Sequence, residues 1–120
     1  MKNTERRVRA DSLARFVAGI FIDAGCRAQE ARAIAQCLVQ TNLWGIDSHG
    51  VIRIPEYLER FRNGAMNPKP VIRTVQAKGG LEVLDADNGA GYLAGRAAMK
   101  RAIELASEQA IAAVGIINSN

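Results

Sequence analysis

Residues that usually announce a chemistry are scarce in this sequence. Its 120 residues hold one histidine, two cysteines, one tryptophan, two tyrosines and three phenylalanines. Cys26 and Cys37 stand too far apart for a Cys-x-x-Cys redox or zinc motif, and His49 has no second imidazole to share a metal, so no metal centre is expected. Both thiols are expected to be small buried residues in a reduced, cytoplasmic setting. Long apolar runs are missing too. The stretch from Phe16 to Ile22 is too short to span a bilayer and follows Arg15, so no membrane segment is expected. Asp23-Ala24-Gly25-Cys26 imitates a lipoprotein cleavage site, but Asp23 occupies a position where such sites take an aliphatic residue. With aromatics at 5%, the core must be built from closely packed Ala, Ile, Leu and Val.

The formal charge is +4, and the excess sits at one end in Lys2, Arg6, Arg7 and Arg9. Elsewhere the signs nearly balance, as expected of a solvated basic arm rather than a nucleic-acid site. A helix-turn-helix reading of the first two helices finds only Arg32 and several glutamines as groove contacts, so nucleic acid is not an expected partner.

What is present is clear periodicity. Leu13, Phe16, Val17, Ile20, Phe21 and Ala24 follow a helical spacing, with Asp11 or Ser12 as the expected cap and Gly25 as the stop. A second helix is expected from about Gln29 toward Leu43, with Ala31, Ile34, Ala35, Leu38 and Asn42 on one stripe. Asn63-Gly64, Pro68 and Pro70 mark a loop. Val71 to Ala77 and Leu81 to Leu84 then read as an antiparallel hairpin joined by Lys78-Gly79-Gly80. Asp85 to Gly91 reads as a loop. An Ala-rich helix follows from about Tyr92 to Gln109, with Leu93, Ala97, Met99, Ala102, Ile103 and Ala106 available for packing. Ile111 to Ile117 reads as a buried strand able to lie centrally in a sheet. The expected class is α/β, an N-terminal helical hairpin plus a mixed sheet with packed helices. On this reading residues 1–62 form the helical region that carries the Ser-His-Gly motif and residues 63–120 begin the sheet domain.

The most informative segment is Gly45-Ile46-Asp47-Ser48-His49-Gly50-Val51-Ile52-Arg53. If it is helical, His49 and Arg53 lie one turn apart on one face. Pro55 leaves two options, a kinked helix or a turn followed by a helix starting near Pro55, and only the first secures that face. From Pro55 onward Tyr57, Leu58 and Phe61 form an apolar side, with Arg60 and Arg62 in solvent. An arginine can hold a carboxylate through two parallel hydrogen bonds, and an imidazole can exchange a proton with a neighbouring carbonyl or hydroxyl oxygen. The pairing suits a 2-oxo acid, with the hydride coming from a cofactor. The alternative is a structural histidine beside a surface ion pair of Arg53 with Asp47 or Glu56.

Asp47-Ser48-His49-Gly50-x-x-Arg53-x-Pro55-x-Tyr57 resembles the signature of the type 2 malate/L-lactate dehydrogenase family, which is distinct from the Rossmann-fold enzymes of similar name. The resemblance continues through Asn63-Gly64, the stretch from Asp85 to Gly91, the Ala-rich helix and Asn118-Ser119-Asn120. It implies a larger non-Rossmann fold, a homodimer at full length, and NAD or NADP as cofactor. The implied reaction is at C2 of acids such as malate, lactate, ureidoglycolate, sulfolactate, diketogulonate or a cyclic imino acid. It also implies His49 as proton donor or nicotinamide-side group, Ser48 as a cofactor contact, and Arg53 as the residue that binds the substrate carboxylate. Family members place a further histidine directly after the Asn-Ser-Asn segment. On that comparison the chain corresponds to roughly the opening third of such an enzyme and is expected to be inactive alone. Ala110, Ala112 and Ile117 depart from the family pattern and leave Ser48, His49 and Arg53 untouched.

Gly89-x-Gly91-x-x-x-Gly95 follows a strand and opens a helix, yet its spacing is not that of a dinucleotide fingerprint. A different class of function also fits the sequence: a non-catalytic truncated module that works by protein association.

Overall fold

In a computed structural model the described residues are 6–120, and Lys2 of the basic arm lies outside them. Four helices and three strands follow in the order α1 (Ala10–Asp23), α2 (Ala28–Leu43), α3 (Ile54–Arg62), β1 (Arg73–Lys78), β2 (Leu81–Gly89), α4 (Gly91–Gln109) and β3 (Ala113–Ser119). Between α2 and α3 lie two short 3-10 turns, Asp47–His49 and Val51–Arg53. The expected α/β class and the helical hairpin are present.

α1 ends where Gly25 adopts φ +102°, a conformation an L side chain resists, and the Cys26 amide bonds back to Phe21 O at 3.0 Å. α2 then returns along α1. Between them Val17, Ala18 and Phe21 meet Ala31, Ile34, Ala35 and Leu38, all buried, with Cys26, Met66 and Ala90 closing the cluster. Small residues on both helices allow this close approach. Phe21 has no exposed surface and sits edge-on to Tyr57 and Phe61, each with ring centroids 6.2 Å away. These contacts fasten α3, and with it the segment preceding it, to the hairpin. Burial pushes the Cys26 thiol up to about 11, with Glu30 as a smaller cause, so it stays protonated and inert at neutral pH.

The sheet has the order β1-β2-β3. β1 pairs with β2 antiparallel, and β2 pairs with β3 in parallel through the α4 crossover. Glu82, Leu84 and Ala86 of β2 alternate inward, while Ala94, Ala98 and Leu105 of α4 are buried as that helix packs on β2 and β3.

Several expectations are corrected. Neither Asp11 nor Ser12 caps α1; Arg9 holds the cap position without a side-chain bond, and Asp11 instead pairs with Arg9 at 3.2 Å and Arg15 at 3.6 Å. Phe16 is 69% exposed, because the stripe centred on Val17 and Phe21 meets α2. Cys37 is only half-buried. β2 runs on through the stretch expected as a loop. Its polar residues are consumed internally: Asp85 accepts from the Asp87 amide at 2.9 Å and from Asn118 at 3.2 Å. Asp87 and Asn88 take φ +50° and +56°, making an irregularity before pairing resumes at Gly89 and Ser119. β1 starts at Arg73 because the Val71 amide is tied to Asp87 Oδ2 at 2.9 Å. On α4, Met99 and Ile103 are 64% and 65% exposed, since the Ala94–Ala98–Leu105 face turns inward. β3 is largely exposed and lies at an edge among the described strands. β2 is central because it alone pairs on both sides.

Candidate active site

α2 ends at Leu43, and Gly45 with φ +76° reverses the chain as its amide bonds to Asn42 O at 2.9 Å. The Ile46 amide bonds to Thr41 O at 3.1 Å, which brings the next residues back over the helix end. The first 3-10 turn is held by the His49 amide on Ile46 O at 3.0 Å and the Gly50 amide on Asp47 O at 3.2 Å. The second is held by the Arg53 amide on Gly50 O at 3.1 Å. Pro55 then falls in the first turn of α3, where its missing N–H costs nothing. The structure therefore takes the second option left open by Pro55: the kinked helix that would have secured a shared helical face is absent, and His49 and Arg53 end successive 3-10 turns.

Ser48 and His49 are exposed, with Ser48 Oγ 2.9 Å from His49 Nδ1, which leaves Nε2 free for a ligand. Arg53 Nη1 donates to Glu56 Oε2 at 2.6 Å. The ion pair weighed from the sequence thus exists, with Glu56 rather than Asp47 as partner. Its side chains are 43% and 51% exposed, however, and a pair in such contact with water contributes only about 0–1 kcal/mol.

The sheet end is tied to α3 and the loop after it. Arg60 of α3 is half-exposed rather than free in solvent, and it donates to the Asn120 side-chain oxygen. Asn120 also donates to Ala65 O at 2.7 Å and to the Asn88 side chain, while its amide bonds to Gly89 O at 2.9 Å. The Gly91 amide is taken by Asn120 O at 2.7 Å, so the Gly89-x-Gly91 segment does not present that donor to a phosphate. Tyr57 and Tyr92 meet with centroids 6.2 Å apart, and burial, then the neighbouring Tyr92 hydroxyl, holds Tyr57 well above the ordinary phenol range. Among the described residues no cluster of three metal-ligating side chains occurs, and no helix is long and apolar enough to cross a membrane.

The family model for malate/L-lactate dehydrogenase matches residues 8–120. The chain belongs to that family. A malate dehydrogenase of Pyrococcus abyssi is 35% identical over 114 residues, 95% of this chain and 32% of the relative. A ureidoglycolate dehydrogenase (NAD(+)) of Escherichia coli O157:H7 is 32% identical over 110 residues, 92% of this chain and 32% of the relative. Among solved structures, malate dehydrogenase from Pyrococcus horikoshii OT3 superposes with a TM-score of 0.91 at 33% identity, covering 96% of this chain and 33% of that one. The chain thus spans about a third of the length of these members of the malate/L-lactate dehydrogenase family.

Two features of this family segment escape sequence reasoning. Asn42 was placed on the packing stripe of α2, yet its amide is spent on the 3-10 turns. A polar residue at the end of an apolar stripe, next to a glycine-bounded motif, is the signal that could have marked it. The Arg60–Asn120 tie joins residues sixty apart in sequence and left no local signal.

Proposed function

We propose that this chain supplies the substrate-holding and proton-transferring part of an oxidoreductase that moves hydride between NAD(P)H and C2 of a small 2-oxo or 2-hydroxy acid. Arg53 binds the substrate carboxylate by two parallel hydrogen bonds, which fixes the orientation of C2. His49, through its free Nε2, gives a proton to the C2 oxygen in reduction and takes it in oxidation. Ser48 fits the amide end of a nicotinamide, because its exposed hydroxyl both donates and accepts; His49, whose Nδ1 already meets Ser48, serves the nicotinamide only as the alternative to proton transfer. The cofactor, NAD or NADP, supplies the hydride. The observation that carries this reading is the placing of His49 and Arg53 on two adjoining turns held to the end of α2, with Arg53 countered only by an exposed carboxylate. Relatives named for malate and ureidoglycolate support the substrate class. Cytoplasmic residence and a homodimer belong to the same reading.

The test is the longest product of the reading frame that contains this chain, mixed with NADH or NADPH and a panel including oxaloacetate and pyruvate. Consumption of reduced cofactor that depends on one of these acids is expected of a product that continues beyond Asn120; no consumption by such a product with any of them would overturn the reading. Reading the coding sequence past Asn120 adds a cheap check, since a frame continuing into His-Phe-Gly would supply the second histidine that the resemblance implies.

Association without catalysis is a second reading, favoured by the exposed β3 edge with Ile116 and Ile117 at 37% and 46% exposure and by Trp44 at 70%. Concentration-dependent assembly without turnover would select it.

A further inference from the structure

We propose that Asn42 is the positioning residue of this site, acting through one side chain on the turns that present His49 and Arg53; the inference rests on the dehydrogenase reading above. Asn42 is the last residue but one of α2. Its Nδ2 donates to Asp47 Oδ1 at 2.5 Å, and its Oδ1 accepts from the Val51 amide at 2.8 Å. Asp47 and Val51 are the first residues of the two 3-10 turns, so a single amide group holds both ends of the Ser48-His49-Gly50 segment. The Val51 N–H opens a helical turn and would otherwise be an orphan donor; Asn42 caps it from a neighbouring helix.

Gly50 supplies the independent observation. It is buried, and its φ of −90° lies outside the left-handed region, so that angle alone does not call for glycine. A Cβ added there would overlap Oδ1, Cγ and Nδ2 of Asn42, the three nearest atoms. The glycine of the Ser-His-Gly motif is therefore the space in which the Asn42 amide sits. Loss of the amide frees Val51, and with it the second turn, to rotate against the first. The relative placement of the imidazole and the guanidinium then drifts, and a displacement of about 1 Å costs on the order of a hundredfold in rate.

The experiment compares Asn42→Leu, which keeps bulk and loses both bonds, with the exchange Asn42→Asp plus Asp47→Asn, which reverses donor and acceptor across one contact and keeps the acceptor for Val51. In the longest product of the frame, Asn42→Leu is expected to lower kcat/KM for the preferred 2-oxo acid by about tenfold to a hundredfold, with KM rising as well as kcat falling. Asn42→Asp alone sets two carboxylates against each other at positions 42 and 47 and should lose activity. The exchange Asn42→Asp with Asp47→Asn restores a donor across that contact, keeps the acceptor for Val51, and should return to within about threefold of the parent. A merely structural role would reduce the folded fraction and so kcat alone, leaving KM unmoved. Gly50→Ala should be as damaging as Asn42→Leu in the parent but nearly silent once Asn42→Ala has made room, a coupling that two independent sites would not give. An unmoved KM in Asn42→Leu, an Asn42→Asp/Asp47→Asn exchange as poor as Asn42→Leu, or additive effects with Gly50→Ala would overturn the proposal. If the parent shows no turnover, the dehydrogenase reading fails and the 120-residue chain decides the positioning claim by NMR. Val51 amide exchange should then accelerate in Asn42→Leu and not in the Asn42→Asp/Asp47→Asn variant; equal protection in these two and the parent would reject it.

Discussion

Arg53 shows how a single residue can carry both a structural and a chemical reading without contradiction. Its contact with Glu56 is short, at 2.6 Å, yet both partners face water, so the pair holds the guanidinium in place without committing it. If the contact competes with a substrate carboxylate, Glu56→Gln should lower KM for a 2-oxo acid by up to about fivefold and leave kcat alone, the ceiling set by a pair worth about 1 kcal/mol. A higher KM would instead make Glu56 part of the binding surface. For His49 the expected signature is the reverse. Removing a proton-transferring group by His49→Ala should cut kcat by about a hundredfold or more with little change in KM. Unchanged turnover would pass the role to another group. The segment that carries Ser48, His49 and Arg53 stands out in the sequence because it is the densest polar run after an amphipathic helix. What held them was not, since Asn42 reads as one more helical position until the turns fold back over it.

At the scale of elements, the helices were legible and the edges of the strands were not. α1, α2 and α4 carry a repeat that local sequence spacing exposes, although the buried face of α4 is rotated from the expected one. Arg101 lies on that inward side and donates two bonds to Glu82 of β2, at 2.7 and 2.8 Å. A charged residue on a packing face has no signature until its partner strand is known. The same is true of Asp85 to Asn88, whose turn-forming side chains suggest a loop and are instead satisfied within the sheet. The Glu82–Arg101 clasp has a pH consequence. Arg101 holds the Glu82 carboxyl below its ordinary value, while Glu82 itself is 6% exposed. Because the folded-state pKa is depressed, the stability from this pair is fully present above the ordinary glutamate range, about pH 4.3, and is lost as the pH falls through the lower folded value. The Asp85 carboxyl, lowered by the Asp87 amide and then by Asn118, adds to the same acid limb. Urea unfolding at a series of pH values should therefore show stability falling in acid, and Glu82→Gln should flatten that fall. An equally steep acid limb in the variant would contradict the assignment.

Across the whole molecule, the α1–α2 hairpin, α3 and the sheet end are tied around one aromatic cluster and one hydrogen-bond cluster at Asn120. Phe21 is the hub, with Tyr57 and Phe61 packed edge-on against it. Phe21→Ala should cost about 3–5 kcal/mol of folding stability by equilibrium denaturation, as expected for emptying a fully buried aromatic site, and a loss below about 1 kcal/mol would deny it that role. The overall class, the hairpin and the family segment could all be read from the sequence because they rest on periodicity and one dense motif. The position of β3 could not, since edge or centre depends on how many neighbours a strand finds.

The central claim is that the Arg53 guanidinium grips the carboxylate of a 2-oxo acid. Steady-state kinetics of Arg53→Ala in the longest product of the reading frame test it most directly. Loss of two charged hydrogen bonds predicts a KM for that acid raised by about a hundredfold or more, with kcat changed far less. A KM equal to that of the parent would contradict the account.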